Sequence, residues 1–309
     1  MADDRLKEFD LIRWIRGEAP ADELVRVGIG DDAAVVANRD RTTVATTDML
    51  VDGVHFDLRQ ATPREVGWKA MACSVSDVAA MGGRCSAAVI SAALPPGFGA
   101  EAARELVRGA LACAHEFGAR LVGGDLTATA GPLVLSVTML GDTEGRPPVL
   151  RSGARVGDAI CVTGTLGGSR LGRHLRFRPR QADGLLLSRR YRPHAMIDVS
   201  DGLAIDLHHV LEASGVGARL WAERVPVSEA AVQAAEGSGR PALDHALADG
   251  EDYELLFTLD EADAARLVDE QPLGVRVSRI GAVVGSGAVL VMPDGDERAL
   301  EARGWEHFG

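Results

Sequence analysis

Residues 195–215 read AMIDVSDGLAIDLHHVLEASG. The apolar run AMIDV predicts a buried strand, the acidic turn VSDG breaks it, and the apolar spacing beyond predicts a helix that opens near Ser200 or Asp201 and closes at Gly215. Strand, acidic turn and helix in succession belong to a mixed α/β fold. The pattern continues in both directions. Toward the C-terminus, strands are expected at 217–222, 254–259, 275–284 and 288–292, with a helix over 260–270. Toward the N-terminus, AICVTG predicts a strand and a glycine-rich turn. Before it, EGRPPVLRSGARVGD (144–158), rich in proline, glycine and polar residues, is the best boundary between two units.

Upstream of that boundary the order is similar. Residues 6–16 predict a short amphipathic helix, and 33–37 and 42–47 predict strands, the second ending at Thr46-Thr47-Asp48. Thr62-Pro63-Arg64-Glu65 has the capping-box arrangement with proline at the first helical position, opening a helix through about Met81 that carries Asp77 late. SAAVISAAL (86–94) reads as a buried strand stopped by Pro95-Pro96-Gly97, and Ala100 to Phe117 reads as a helix stopped by Gly118. A short strand ARLV then ends in Gly123-Gly124-Asp125, and 133–140 alternate as a strand should. Two α+β domains are expected, residues 1–145 and 146–309.

The composition excludes several classes of function. A net charge of −12, with no basic run, argues against nucleic acid and anionic membrane as partners. Lys7 and Lys69 are the only lysines. Cys73, Cys85, Cys113 and Cys161 are scattered, so they suggest neither a zinc site nor a disulfide framework and read as small buried hydrophobes. The start MADDRLKEFD is acidic, and no run of about 18 apolar residues occurs, so a cytoplasmic protein is expected.

The acidic turns carry the chemistry. Asp31, Asp32, Asp48, Asp77, Asp125, Asp198 and Asp201 each lie in or beside a small-residue segment bordering an apolar element, and Glu251-Asp252 after Gly250 adds another such place. Taken alone, Asp201 reads as a plain helix cap. Taken together they ask for more, because a cap needs one carboxylate whereas GIGDD offers two adjacent ones. Like charges in contact cost on the order of 1–4 kcal/mol per pair, and a bound cation removes that cost. Oxygen ligands without a Cys or His cluster suit a hard ion, with Thr46, Thr47 and Ser200 able to complete the shell, so Mg²⁺ is expected. Such ions bind phosphate oxygens. The G-x-x-x-x-G-K-[ST] loop and the protein-kinase motifs are absent, so a nucleotide here would be held mainly through metal.

Eight segments then stand in order: GIGDDAAVV, TTDMLVDGVHF, SVSDVAAMGG, LVGGDLT, LRSGARVGD, VTGTLGG, IDVSDGL and GEDYEL. Together they resemble the thiamine-monophosphate kinases, part of the ATP-binding superfamily that includes aminoimidazole ribonucleotide synthetase. The resemblance runs from about residue 8 to the C-terminus. It implies a homodimer of two-domain α/β subunits whose N-terminal domains pair through their sheets, with ATP and several Mg²⁺ ions against the acidic turns. By motif position it implies Asp31, Thr46, Thr47, Asp48, Asp77, Asp125 and Asp198 as metal ligands and Asp201 on a further ion. Asp32 either supports the same ions or satisfies its turn. Gly124, Asp125, Arg151 and Ser200 would lie along the nucleotide, and His55, Glu251 and Trp305 would meet thiamine monophosphate.

The implied reaction gives thiamine diphosphate and ADP by in-line transfer, with no general base needed. The plainer readings are a structural histidine at His55, a linker charge at Arg151 and a core anchor at Trp305. Three departures stand out: Leu126 follows the GGD, Asp52 replaces a frequent glutamate, and the segment between TLGG and IDVSDGL is short, leaving its helix count open. The rival readings are a selenophosphate synthetase, a hydrogenase-maturation protein or a non-catalytic Mg-nucleotide binder. A selenophosphate synthetase would carry a reactive Cys near its N-terminus, and the first cysteine here is Cys73.

Overall fold

In the computed structural model, which describes residues 25–27, 31–37 and 42–306, the capping box at Thr62 starts the helix around which both halves are arranged. The expected 6–16 helix, Lys7, Gly28 and Gly30 lie outside the described residues. Helix α1 (Pro63–Ala80) is closed at its start by reciprocal bonds: the Glu65 N–H donates to Thr62 Oγ1 at 3.3 Å, and the Thr62 N–H donates to Glu65 Oε2 at 2.9 Å. From Val66 onward nearly every residue is buried. Glycines allow this. A Cβ on Gly67 would stand 1.9 Å from the Leu106 carbonyl oxygen of α2 (Ala100–Glu116), and one on Gly109 equally close to that of Arg64, at 1.9 Å. A Cβ on Gly184 of α3 (Gln181–Arg190) would stand 2.3 Å from the Ala79 carbonyl oxygen. A helix enclosed on several sides can hold polar groups out of water, and α1 does.

The first sheet contains β1 (Val25–Val27), β2 (Ala34–Ala37), β3 (Thr42–Val51), β4 (Arg84–Leu94), β5 (Arg120–Ala128) and β6 (Val134–Asp142), in the spatial order β1-β2-β3-β6-β4-β5. All pairs are antiparallel except β4 with β5, which α2 connects. One face packs on the helices: Leu135, Val137 and Met139 are buried, as alternation along β6 requires. The other face is open, with Met49 61%, Val89 38% and Leu140 40% exposed.

The second sheet contains β7 (Ala159–Thr163), β8 (Ala195–Asp198), β9 (Gly217–Trp221), β10 (Leu255–Leu259), β11 (Val277–Val284), β12 (Ala288–Val291) and β13 (Glu297–Ala299), ordered β13-β12-β9-β11-β7-β10-β8. It is covered on both faces. Ile160, Ile197 and Leu256 pack against α4 (Leu203–Ser214), while Cys161, Met196 and Phe257 pack against α3 and α7 (Glu261–Glu270). Double burial explains why these strands read as continuous apolar runs. Helices α5 (Glu229–Ser238) and α6 (Ala242–Ala248) complete this half. All four cysteines are buried thiols. Among the described residues no helix is long and apolar enough to cross a membrane.

Most expected elements are present, and the differences have physical reasons. Strand β5 does not stop at Gly123-Gly124 but runs through them to Ala128. It can do so because glycine fits there: a Cβ on Gly124, whose φ is +157°, would stand 1.9 Å from the Ile90 carbonyl oxygen of β4. Strand β3 continues past Asp48 to Val51, nine of its residues pairing with β6. Helix α4 starts at Leu203 rather than at Ser200 or Asp201. Asp201 is not its cap: Asp206 of the first turn reaches back instead, its Oδ2 accepting from the Asp201 and Gly202 N–H groups at 3.1 and 3.0 Å. The short 165–195 segment holds two 3₁₀ turns, Ser169–Leu171 and Arg173–Leu175, and α3.

Candidate active site

Lys69, Cys73 and Asp77 recur every four residues, so they share one face of α1. Facing them are the middle of β3, the end of β8 with the turn after it, and the 250–254 loop. Between them lies a cavity of about 330 Å³ whose lining includes Asp48, His55, Asp77, Asp198, Ser200, Asp201, Glu251 and Trp305. Residues expected from separate motifs thus meet in one place.

One end of the cavity is acidic. Carboxylate oxygens of Asp32, Asp77 and Asp198 all lie within 4.8 Å of one another. Hydroxyl groups hold their neighbours: Thr46 donates to Asp77, Ser76 donates to Asp198 at 2.6 Å, and Ser74 donates to Asp48. Burial, the repulsion of Asp48, Asp198 and Asp32 adding to it, pushes the Asp77 carboxyl well above its usual range. Burial with the nearby Asp32 raises Asp198 to about 8. Asp48 rises to about 6, again mainly through burial. The cluster is therefore poised for a positive charge that the side chains around it do not fully supply.

The adjacent pair divides its work. Asp31 accepts from the backbone N–H of Asp32 at 3.0 Å and from that of Arg151 at 3.1 Å, tying its turn to the start of the second half. Asp32 turns inward. Its Oδ1 takes the Arg151 guanidinium, with Nε at 3.1 Å, while its Oδ2 is buried with no hydrogen-bond partner among the described residues. A buried carboxylate oxygen without a donor is costly unless something else meets it. Arg151 is thus no solvated linker charge.

The other end balances its own charge. Lys69 is fully buried, and its Nζ donates to the His55 carbonyl at 2.6 Å, to His174 Nδ1 at 2.9 Å and to Glu251 Oε2. Burial alone would raise Glu251, but the Lys69 ammonium that donates to it outweighs burial and, with the His174 ring beside the pair, holds the carboxyl below its usual range. His55 accepts the Val51 N–H at Nδ1, 3.0 Å away, so the neutral ring carries its proton at Nε2. Glu251 and Tyr253 both have left-handed φ, 61° and 51°, uncommon outside glycine. Short bonds keep them so: their N–H groups donate to the Ser200 and Val199 carbonyls at 2.6 and 2.7 Å. Tyr253 stacks on Phe177 at 3.8 Å and accepts from the Cys73 thiol at 3.1 Å. At the mouth, the Arg170 guanidinium lies 4.5 Å from the centroid of the Trp305 ring.

The same loop anchors the glycine-rich turn after β7. Asp252 accepts from the Gly167 N–H at 2.9 Å, and buried Glu254 takes Arg173 and Arg180, each at 2.6 Å.

Two expected ligand positions do not join this cluster: Thr47 borders the cavity but turns its side chain away, and Asp125 lies apart. Thr47 alternates away from Thr46 and Asp48, and its hydroxyl accepts from Thr138 at 3.0 Å on the open face of the first sheet. Asp125 is exposed on edge strand β5, its register row running through Ser91 and Ser136 to Met49 on that same face. Gly124 is its neighbour in the strand. Lys69, Ser74, Ser76, His174 and Asp206 hold the residues of this site by hydrogen bonds, and sequence reasoning missed them. Only Lys69 carried a signal, as one of two lysines and within an apolar helix.

Comparison with known proteins gives the chain a family. The chain matches the AIR synthase related protein N-terminal domain over residues 30–143 and its C-terminal domain over residues 161–292. It is 45% identical to the thiamine-monophosphate kinase of Rhodopirellula baltica, covering 90% of each chain, and 40% identical to that of Mycobacterium tuberculosis over 99% of this chain and 92% of the other. Among solved structures, thiamine monophosphate kinase from Aquifex aeolicus superposes with a TM-score of 0.80 at 32% identity, covering 95% of this chain and 99% of the other. AaThiL complexed with AMPPCP and TMP gives a TM-score of 0.81 at 32% identity over 100% of both chains. The hydrogenase maturation protein HypE of E. coli shares the fold, with a TM-score of 0.72 at 21% identity over 96% of this chain and 98% of that one. On these matches, the chain belongs to the thiamine-monophosphate kinase family of AIR synthase-related proteins.

Proposed function

We propose that this chain transfers the γ-phosphoryl group of ATP to thiamine monophosphate, giving thiamine diphosphate and ADP, the last step of thiamine diphosphate biosynthesis. One observation carries the reading: a single cavity joins a cluster of carboxylates short of positive charge to a charge-balanced end beside an aromatic ring. The first end suits metal-bound phosphates and the second suits the organic part of the acceptor. The family assignment and the AaThiL complex with AMPPCP and TMP support both ligands.

The residues fit Mg²⁺. The donors are oxygen only, three carboxylates converge, and the partnerless Asp32 Oδ2 is an acceptor awaiting a cation. Asp32, Asp77 and Asp198 form the core of the ion site in this reading, with Asp48, Thr46 and Asp201 around it. Asp31 acts through its turn. Bound Mg²⁺ would neutralise phosphate charge and orient the triphosphate. Ser200 and Arg151, at the junction of the two halves, would face the nucleotide.

The chain's own part in the reaction is alignment. A phosphate monoester loses its second proton at about pH 6, so the attacking oxygen is already largely deprotonated at neutral pH and no side chain need act as base. His55, Glu251 and Trp305 hold the acceptor so that its phosphate points to the acidic end.

We assign the open face of the first sheet to a second copy of the chain, in keeping with exposed Met49, Val89 and Leu140. Thr47 and Asp125, on that face, would then act within the dimer, and residues 1–145 and 146–309 would be its two domains. Mixing the protein with Mg²⁺ and ATP, with and without thiamine monophosphate, tests the activity: ADP and thiamine diphosphate should form in equal amounts and only with the acceptor. Folded protein that forms neither would refute the reading. Sedimentation of the same sample should give twice the chain mass.

A further inference from the structure

Lys69 lies behind the pocket rather than in it. Its ammonium group has three N–H donors and meets three acceptors from three segments: the His55 carbonyl after β3, the His174 ring in the 173–175 turn, and Glu251 of the 250–254 loop. No donor is left over for a ligand, and the side chain is fully buried. Its effect on the pocket therefore passes through Glu251. Lys69 takes Oε2 of that carboxylate, and among the described residues nothing donates to Oε1, although Glu251 lines the cavity.

We propose that Lys69 is a positioning residue for the acceptor end of the cavity. It keeps Glu251 ionised and aims the second carboxylate oxygen at an N–H donor on the ligand's ring. The ligand class this suits is a phosphorylated heteroaromatic ring bearing an amino group, with Trp305 and Tyr253 beside it. The inference rests on the proposed phosphoryl transfer, and deepens it by naming what selects the acceptor. Several groups fix Glu251 in place: Lys69 holds its Oε2, His174 lies beside it with Nδ1 3.6 Å away, and its own N–H is tied to the Ser200 carbonyl at 2.6 Å. A site built to accept a ligand N–H rejects an analogue that lacks it far more strongly than an apolar pocket rejects a missing methylene.

The experiment compares kcat/KM for thiamine monophosphate and for oxythiamine monophosphate, in which the ring amino group is replaced by an oxo group. The wild-type chain should prefer the amino compound by about 100-fold or more. In Lys69→Met that preference should fall at least tenfold, while KM for ATP stays within twofold. A merely structural lysine would lower the amount of active enzyme and leave the ratio unchanged. The double variant Lys69→Met/Glu251→Gln removes the uncompensated buried charge, so it decides the matter if the single variant does not fold. An unchanged ratio in the folded variant, or equal use of both acceptors by the wild type, would overturn the proposal. Failure of the wild type to phosphorylate thiamine monophosphate at all would instead remove the proposed function on which it rests.

Discussion

The two ends of the cavity are built by opposite electrostatic strategies. At the acidic end, burial and mutual repulsion raise Asp48 to about 6 and Asp198 to about 8, and hydroxyl groups from α1 and β3 supply only partial relief. At the other end an equally buried carboxylate, Glu251, is held below its usual range because the Lys69 ammonium donates to it, with the His174 ring beside the pair. The first arrangement is unfinished without a cation, and the second is finished within the chain. One helix, α1, carries residues of both. The difference separates the part of the site that binds through metal from the part that binds by shape and hydrogen bonds.

Removing one charge at each end should break the comparison most sharply, because the effects on stability have opposite sign. Asp77→Asn should lower turnover by about 10³-fold, roughly 4 kcal/mol of transition-state stabilisation, by weakening the metal clamp. Its metal-free stability should be unchanged or higher, since a like charge is gone from the cluster. Lys69→Met should instead destabilise the fold by about 3–5 kcal/mol, as expected when one partner of a buried pair is removed. Urea denaturation of both variants without Mg²⁺, beside their turnover with it, reads both effects. A metal-free Asp77→Asn protein that melts well below the wild type would contradict the like-charge account.

The pH dependence is smaller and has a definite sign. Asp31 and Asp48 rise to about 6 and Asp198 to about 8, from 3.8. Between those values the folded chain holds protons that the unfolded chain has already released. The metal-free protein must therefore lose stability as pH rises from about 4 to 8. Mg²⁺ should reverse that loss, stabilising by about 2.7 kcal/mol at a hundred times its dissociation constant, and more at pH 8 than at pH 5, where protons compete for the same oxygens. Thermal melts at pH 5, 6.5 and 8, with and without Mg²⁺, measure this. A metal-free Tm that climbs over that range would refute the sign.

The acidic end was far more legible in the sequence than the other. Its aspartates sit in small-residue turns at the ends of apolar elements, where a carboxylate is conspicuous, and two of them are adjacent. Side-chain direction was less legible. Alternation along β3 sends Thr47 to the face opposite Thr46 and Asp48, which the run TTD does not announce unless the strand is known to continue through it. Asp201 looked like a cap because a helix follows it, but Asp206 had taken the backbone N–H groups. Lys69 stood out as one of two lysines, but its place in the site was not legible, for a different reason. Its partner Glu251 is 182 positions away, and only the docking of the two halves brings them together. The apolar strands of both sheets were legible, whereas the short helices α5 and α6 were not, being too brief to show a period.

The smallest expected effect tests whether α1 holds the two ends independently of its own start. Thr62→Ala removes one side of the capping box and should cost about 1 kcal/mol, seen as a lower urea midpoint with an unchanged slope. Lys69 lies two turns inside the helix, beyond the point where Gly67 meets the Leu106 carbonyl oxygen, and Asp77 lies beyond Lys69 again. Close packing against α2 and α3, rather than the cap, should therefore fix both side chains. KM for ATP and KM for the acceptor should each stay within twofold of the wild type. A rise in the acceptor KM alone would mean that fraying at Thr62 reaches Lys69, and that the charge-balanced end depends on the helix start in a way the acidic end does not.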